Sequence, residues 1–198
     1  MTVAEYLQLH TSPEKAEEIL TYLENYRCSL KITRPRKSKR GDFRYGKGKL
    51  SISVNQDRNT YRFLFTLIHE MAHLKSYLDY GARVEPHGKE WKINFQQMFS
   101  WFKMQEEFSK DEEVFKAVLI ELKAPKACSG VNHNLERAFL KYDAYDSKLL
   151  ADIPIGSEFI FREVRYQKLE DRRTRVMCLN ITNKRKYIIN KGAEVKTV

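Results

Sequence analysis

No apolar run in this chain approaches the twenty residues needed to cross a bilayer, so no membrane partner is expected. The opening residues Met1-Thr2-Val3-Ala4-Glu5 have neither the basic patch nor the apolar stretch of a signal peptide. Cysteine is scarce. Cys28, Cys128 and Cys178 are odd in number, lie far apart and form no C-x-x-C pair. That argues against a disulfide framework and against a second zinc site. It fits reduced thiols in a cytoplasmic protein, nucleoid-associated if the source is bacterial. Internal repeats and low-complexity tracts are also missing.

What is present is a chain of 198 residues, 42% hydrophobic and 12% aromatic. That is enough for one sizeable domain, or for a domain with a small module. The formal net charge is +10 with a pI near 9.4, which points to a polyanionic partner. The charge is segregated. Residues Lys31 to Lys49 hold nine Lys or Arg against one acid, Asp42, and residues Ile160 to Val198 hold eleven against four. Between them, residues 104–122 are acidic through Glu106, Glu107, Asp111, Glu112, Glu113 and Glu121.

The densest chemistry is His69-Glu70-Met71-Ala72-His73, followed by His87-Gly88-Lys89-Glu90-Trp91. The flanks place apolar residues at 64, 67, 68, 71, 74 and 78, a helical period, and Gly81 is suited to end the helix. On a helix, side chains four apart share a face, so His69 and His73 can present two imidazoles to one ion. Glu70 stands beside them, where it can take a proton from water. Catalytic zinc usually keeps three protein ligands. His87 is the obvious third, at the start of a helix expected over Lys89 to Lys103. Glu85 or Glu90 remains possible as a carboxylate third ligand. The further histidine of the metzincin pattern is absent.

The HEMAH string, the short loop and HGKEW together resemble the SprT-like metallopeptidases, a Spartan-related family. The resemblance runs over roughly residues 25 to 105. It implies one catalytic zinc on His69, His73 and His87, with Glu70 as general base, and action on proteins attached to DNA. Spartan-type members carry a C-terminal zinc ribbon with paired cysteines, and this chain has no such pairs. The expected partners are therefore a protein substrate and DNA, with DNA recognised by some other element. Tyr77 and Tyr80 are candidates to steady an oxyanion. The alternative reading is a nucleic-acid-binding factor with a structural zinc site and no proteolysis.

The expected fold is α+β. A zincin-like metalloprotease domain over residues 1–123 would pack helices on a small mixed sheet. A connecting segment over 124–152 would follow, then a small basic antiparallel β barrel or meander over 153–198. A helix is expected from a Thr11-Ser12-Pro13-Glu14 capping box to about Tyr26, and another from a box at Ser109 to Glu112. Strands are expected at Ser29–Thr33, around Phe43–Tyr45, and at Lys49–Val54, the last offering an edge to an extended substrate. Residues Leu135 to Leu150 could form strand or helix. Further strands are expected at Glu158–Val164, Arg173–Leu179, Lys186–Ile189 and Glu194–Val198. Arg34, Arg36, Lys37, Lys39 and Arg40 in the first basic segment are the expected nucleic-acid contacts. In the second they are Arg172, Arg173, Arg175, Lys184 and Arg185.

Overall fold

The structure is a computed structural model that describes residues 1–36, 39–126, 132–143 and 148–198. Lys37 and Cys128 lie outside the described residues. The chain forms two compact units, Met1–Pro125 and Lys126–Val198. No described helix is long and apolar enough to cross a membrane.

The first unit mixes helices with a small sheet. Helix α1 (Val3–Gln8) opens on a full capping box between Thr2 and Glu5. Helix α2 (Pro13–Asn25) starts one residue later than its expected box. Ser12 is the N-cap, accepting from Lys15 N–H, and Pro13 occupies the first helical position, where its missing N–H costs nothing. Strands β1 (Cys28–Thr33), β2 (Gly41–Gly46) and β3 (Lys49–Asn55) make a mixed sheet in the order β1-β3-β2. Strand β1 runs parallel to β3, and β2 runs antiparallel to it. The expectation that Lys49–Val54 is an edge strand is therefore wrong. It is the central strand, and the edge toward the helices that follow belongs to β2. A two-residue turn, Lys47-Gly48, with φ of 48° and 71°, joins β2 to β3.

Helix α3 (Thr60–Tyr80) is capped by Asn59, which accepts from Arg62 N–H, and ends at Gly81 in the left-handed region, φ 74°. Leu64, Leu67, Ile68, Met71 and Leu74 of its apolar stripe are fully buried, whereas Leu78, the last of the stripe, is exposed. Helix α4 (Lys89–Trp101) packs on α3 through Trp91, Phe95, Met98 and Phe99. Buried Asn94 reinforces the pair by donating to Ser76 Oγ and Asp79 Oδ2, both at 3.1 Å. Two short helices complete the unit, α5 (Met104–Phe108), which periodicity alone does not mark, and α6 (Glu112–Lys123). Asp111, rather than Ser109, caps α6 by accepting from Val114 N–H at 2.8 Å.

Among the described residues the second unit is a sheet with one α-helix and a short 3-10 turn, Leu150–Asp152. Helix α7 (His133–Leu140) answers the open question at Leu135 and lies within the stretch expected to be a connection. Strands β4 (Lys148–Leu149), β5 (Glu158–Phe161), β6 (Val164–Asp171), β7 (Arg175–Asn180), β8 (Lys186–Asn190) and β9 (Glu194–Thr197) pair in the order β4-β9-β5-β6-β7-β8, all antiparallel. The single strand expected over Glu158–Val164 is instead a hairpin, because Arg162 and Glu163 both take positive φ, 51° and 67°. Strand β6 follows it and is absent from the sequence reading. Arg172 and Arg173 lie in the β6–β7 connection rather than in a strand with Arg175. The core is Leu150, Ile153, Phe159, Tyr166, Val176, Cys178, Ile189 and Val195. Burial pushes the Cys178 thiol, like that of Cys28 in the first unit, up to about 11, so both behave as packing residues.

Candidate metal centre and its general base

Helix α3 sets two imidazoles one turn apart. The loop before α4 brings the third. Pro86 and His87 are the middle residues of a turn closed by Gly88 N–H donating to Glu85 C=O at 3.0 Å. His87 has φ 61°. A turn of this kind takes Pro second and a left-handed residue third, normally glycine. A histidine there carries strain, which the packing around its ring must offset. Pro86 is the sequence signal for this turn, and the reading from spacing alone passes over it.

The Nε2 atoms of His69 and His73 lie 3.1 Å and 2.9 Å from Nε2 of His87. An ion with bonds near 2.0 Å in tetrahedral geometry spaces its ligand atoms by roughly 3.3 Å, so the three nitrogens fit one zinc. Among the described residues, this is the one group of three such side chains close enough to share an ion. Glu85 and Glu90 are not part of it. The protonation states agree. Burial, together with the two neighbouring histidines, holds His69 well below its usual range. Burial and His87 hold His73 down at about 4, and burial lowers His87 as well. Neutral imidazole is the form that binds a metal.

Trp91 forms the floor. It is 1% exposed, and its ring centroid lies 4.6 Å from that of His69, 5.3 Å from His73 and 4.6 Å from His87. Phe95 stacks on Trp91 at 5.3 Å and an angle of 8°, with its ring 6.0 Å from that of His69. The imidazoles thus meet a rigid aromatic wall, which restricts how their rings can turn.

Glu70 points to β2. Arg40 C=O accepts from Asn55 N–H at 2.8 Å, so by the antiparallel alternation Asp42 and Arg44 turn their main chain toward β3. Gly41, Phe43 and Tyr45 turn theirs outward, and the Phe43 N–H donates to the Glu70 carboxylate. A Cβ on Gly41 would stand 2.4 Å from Glu70 Oε1 and 2.8 Å from Thr66 Cγ2. Only glycine lets the carboxylate lie this close to the strand. Burial, with some help from Asp42, pushes the Glu70 carboxyl up to about 8, against the opposing pull of the Phe43 N–H, Arg36 and Lys39. A cation on the three histidines would draw it down again.

The SprT-like family model matches residues 14–112. The chain belongs to the SprT-like family. No curated protein and no solved structure matches it. The SprT-like span runs from α2 to the start of α6 and takes in all four residues of the centre. The second unit lies outside it.

The basic residues are less uniform than their sequence runs. Arg36 is held by the fold of the SprT-like unit: Nε donates to Asn55 Oδ1 at 2.7 Å and Nη1 to Ser53 Oγ at 3.2 Å. Lys39 pairs with Asp42 at 2.8 Å, and Arg40 is half-buried. Arg34 is exposed. In the second unit Arg172, Arg173, Arg175, Lys184 and Arg185 are all exposed, with Arg172 3.6 Å from Glu170. Sequence reasoning missed Gly41, Phe43 and Trp91. Trp91 could have been found, one turn after His87 in HGKEW. The other two depend on the β2 register.

Proposed function

We propose that this protein is a zinc-dependent metallopeptidase of SprT-like type that cleaves proteins bound or crosslinked to DNA. The observation that carries the reading is the pairing of three convergent Nε2 atoms with a buried carboxylate pinned to β2 one residue away from the first ligand. A structural zinc site has no use for that carboxylate, which weighs against a purely DNA-binding factor. His69, His73 and His87 would hold the ion. Zinc bound there supplies a Lewis acid that polarises the scissile carbonyl and acidifies a water. Glu70 takes the proton of the attacking water and passes it to the leaving amine. The Phe43 N–H keeps the carboxylate aimed, and Trp91 keeps the imidazoles in register. The outward main chain of Gly41 and Tyr45, with the Phe43 C=O, supplies the edge to which an extended polypeptide adds as a strand, while the Phe43 N–H stays with Glu70. The exposed arginines and lysines of the second unit favour DNA as the scaffold that presents the substrate.

The test is cleavage of a basic protein bound to DNA, with and without the DNA, by the parent and by Glu70→Gln. Glu70→Gln should keep one zinc per chain and lose at least about a hundredfold in turnover. DNA should raise parental turnover, less so at high salt. A Glu70→Gln protein as active as the parent would overturn the peptidase reading. Turnover indifferent to DNA would overturn only the DNA-bound substrate.

A further inference from the structure

Beyond the centre, β2 and α3 continue side by side and bring together three aromatic rings. Phe43 and Tyr45 share a face of β2 with Gly41, because strand side chains alternate. On α3, Tyr77 follows Glu70 by two turns, on the same side of the helix. The rings meet. Tyr45 stacks on Tyr77 with centroids 4.6 Å apart at 24°. Phe43 lies 6.1 Å from Tyr45 and 5.9 Å from Tyr77. The Tyr45 hydroxyl donates to Ala82 C=O at 3.3 Å, which fixes the outer ring. Yet Tyr45 stays 49% exposed. A pair meant only to fasten the hairpin to the helix would bury that ring, as Trp91 and Phe95 are buried in the neighbouring stack.

We infer that Tyr45 and Tyr77, with Phe43 behind them, form a specificity subsite for an aromatic side chain of the polypeptide laid along the outer edge of β2. The inference rests on the peptidase reading and goes further by naming what the substrate carries and where. Three observations support it. The shelf is continuous with the centre, since Phe43 both holds Glu70 and borders the shelf. The main-chain groups of Tyr45 and the Phe43 C=O face the same outer edge, where the Phe43 N–H already holds Glu70. The rings are fixed before anything binds, so little rotamer freedom is lost on contact.

The position follows from strand geometry. Antiparallel pairing is the more stable of the two modes. A substrate strand antiparallel to β2 runs from Tyr45 toward Gly41, so residues near Tyr45 lie on the N-terminal side of those near Glu70. The residue opposite Tyr45 is two places before the residue opposite Phe43, and its side chain falls on the same face as Tyr45 and Tyr77. The subsite therefore reads a Phe, Tyr or Trp about two places before the cleaved bond. Aromatic pairing of this kind adds to the burial of the ring itself, so the discrimination should be roughly tenfold.

The test uses the full chain and a series of fluorescein-labelled peptides of Ala, Gly and Ser in which one Phe is walked along the sequence. Products are located by mass spectrometry, and binding to Glu70→Gln is followed by fluorescence anisotropy. The expected result is that kcat/KM, and affinity for Glu70→Gln, rise roughly tenfold when Phe stands about two places before the cut. Tyr45→Ala should bring the Phe-to-Ala ratio to about one, and Tyr45→Phe should retain it. Tyr77→Leu, measured alongside, guards against a Tyr45→Ala protein that fails to fold. A parent that cleaves without positional preference overturns the subsite and leaves the peptidase reading standing. A ratio that survives both Tyr45→Ala and Tyr77→Leu also overturns it. A parent that neither binds nor cleaves any peptide overturns both. If a single-stranded oligonucleotide displaces the peptide, and its own binding depends on Tyr45, the shelf belongs to nucleic acid and the inference falls.

Discussion

Glu70 in the first unit and Lys168 in the second are both buried ionisable groups, 7% and 1% exposed, and their surroundings differ in kind. Lys168 Nζ has three protons and three partners: Leu150 C=O at 3.1 Å, Ala151 C=O at 3.4 Å and Asp171 Oδ2 at 3.0 Å. It ties the turn after β4 to β6 and shows no free capacity. Glu70 has the Phe43 N–H, a nearby Asp42, and a carboxyl raised to about 8 mainly by burial. A buried charge whose hydrogen-bonding capacity is filled acts as a strut. One whose carboxyl burial raises to about 8 beside three convergent histidines is poised for proton transfer.

The sharpest way to break that contrast is at Gly41. Its φ lies outside the left-handed region, so alanine is tolerable to the backbone, and the conflict is with two side chains of α3, Glu70 first and Thr66 Cγ2 beside it. Gly41→Ala should leave folding and zinc content near those of the parent and lower turnover by about a hundredfold. That is the size of loss expected when a catalytic group is displaced by about an ångström. A Gly41→Ala enzyme with parental turnover would show that Glu70 does not work from the position seen against β2. Loss of zinc along with activity would show instead that the strand supports the ligands.

The corresponding change in the second unit is Lys168→Met, which preserves volume and removes the charge. Two carbonyls then lie near the core without their donor, and Asp171, 36% exposed, keeps Lys191 at 3.3 Å. The expected cost is about 3 kcal/mol, confined to the second unit. Denaturant unfolding followed by two-dimensional NMR would place it, with resonances of Lys126–Val198 melting early and those of α3 and α4 unmoved. Equal losses in both units would mean that they unfold together.

These groups also mark the limits of reading the chain as text. The ligand pair was legible because its geometry is local: four residues on a helix whose apolar stripe fixes the exposed face. His87 was legible from a short loop. The neighbours of Glu70 were not, since they depend on which strand is the edge. Pairing order is non-local, and Lys49–Val54, with its cleaner alternation, looked the better edge while being the centre. In the second unit the turn at Arg162-Glu163 contains no Gly, Asn or Pro, so the strand expected from Glu158 runs through it to Val164. Strand β6 was hidden because a lysine, at position 168, points inward. The helix starts at Ser12 and Asp111 shifted by one or two residues because each stands close to another competent cap.

A third buried group, His10, sharpens the comparison by belonging to neither type. It is 7% exposed, its Nδ1 lies 3.1 Å from Thr60 Oγ1, and its ring stacks on Phe63 at 4.3 Å. Tyr6 stands 5.1 Å away, and Nε2 is buried without a hydrogen-bond partner among the described residues. Burial alone holds this imidazole down at about 4. The folded pKa thus lies below the unfolded value of 6.5, so on acidification the unfolded chain takes up a proton before the folded one does. Stability from this group is complete above pH 6.5 and falls as the pH drops toward 4. The loss should reach about 1–2 kcal/mol by pH 5. His10→Leu removes the titrating ring and keeps an apolar side chain against Phe63. The stability difference between parent and His10→Leu should therefore be flat above pH 6.5 and move in favour of the variant below it. Chemical unfolding at half-unit steps between pH 7.5 and 4.5 measures this. A difference that stays flat throughout would mean that His10 is as readily protonated in the folded protein as outside it, and that its missing partner is water. It would then resemble Lys168, a buried group whose hydrogen-bonding capacity is filled.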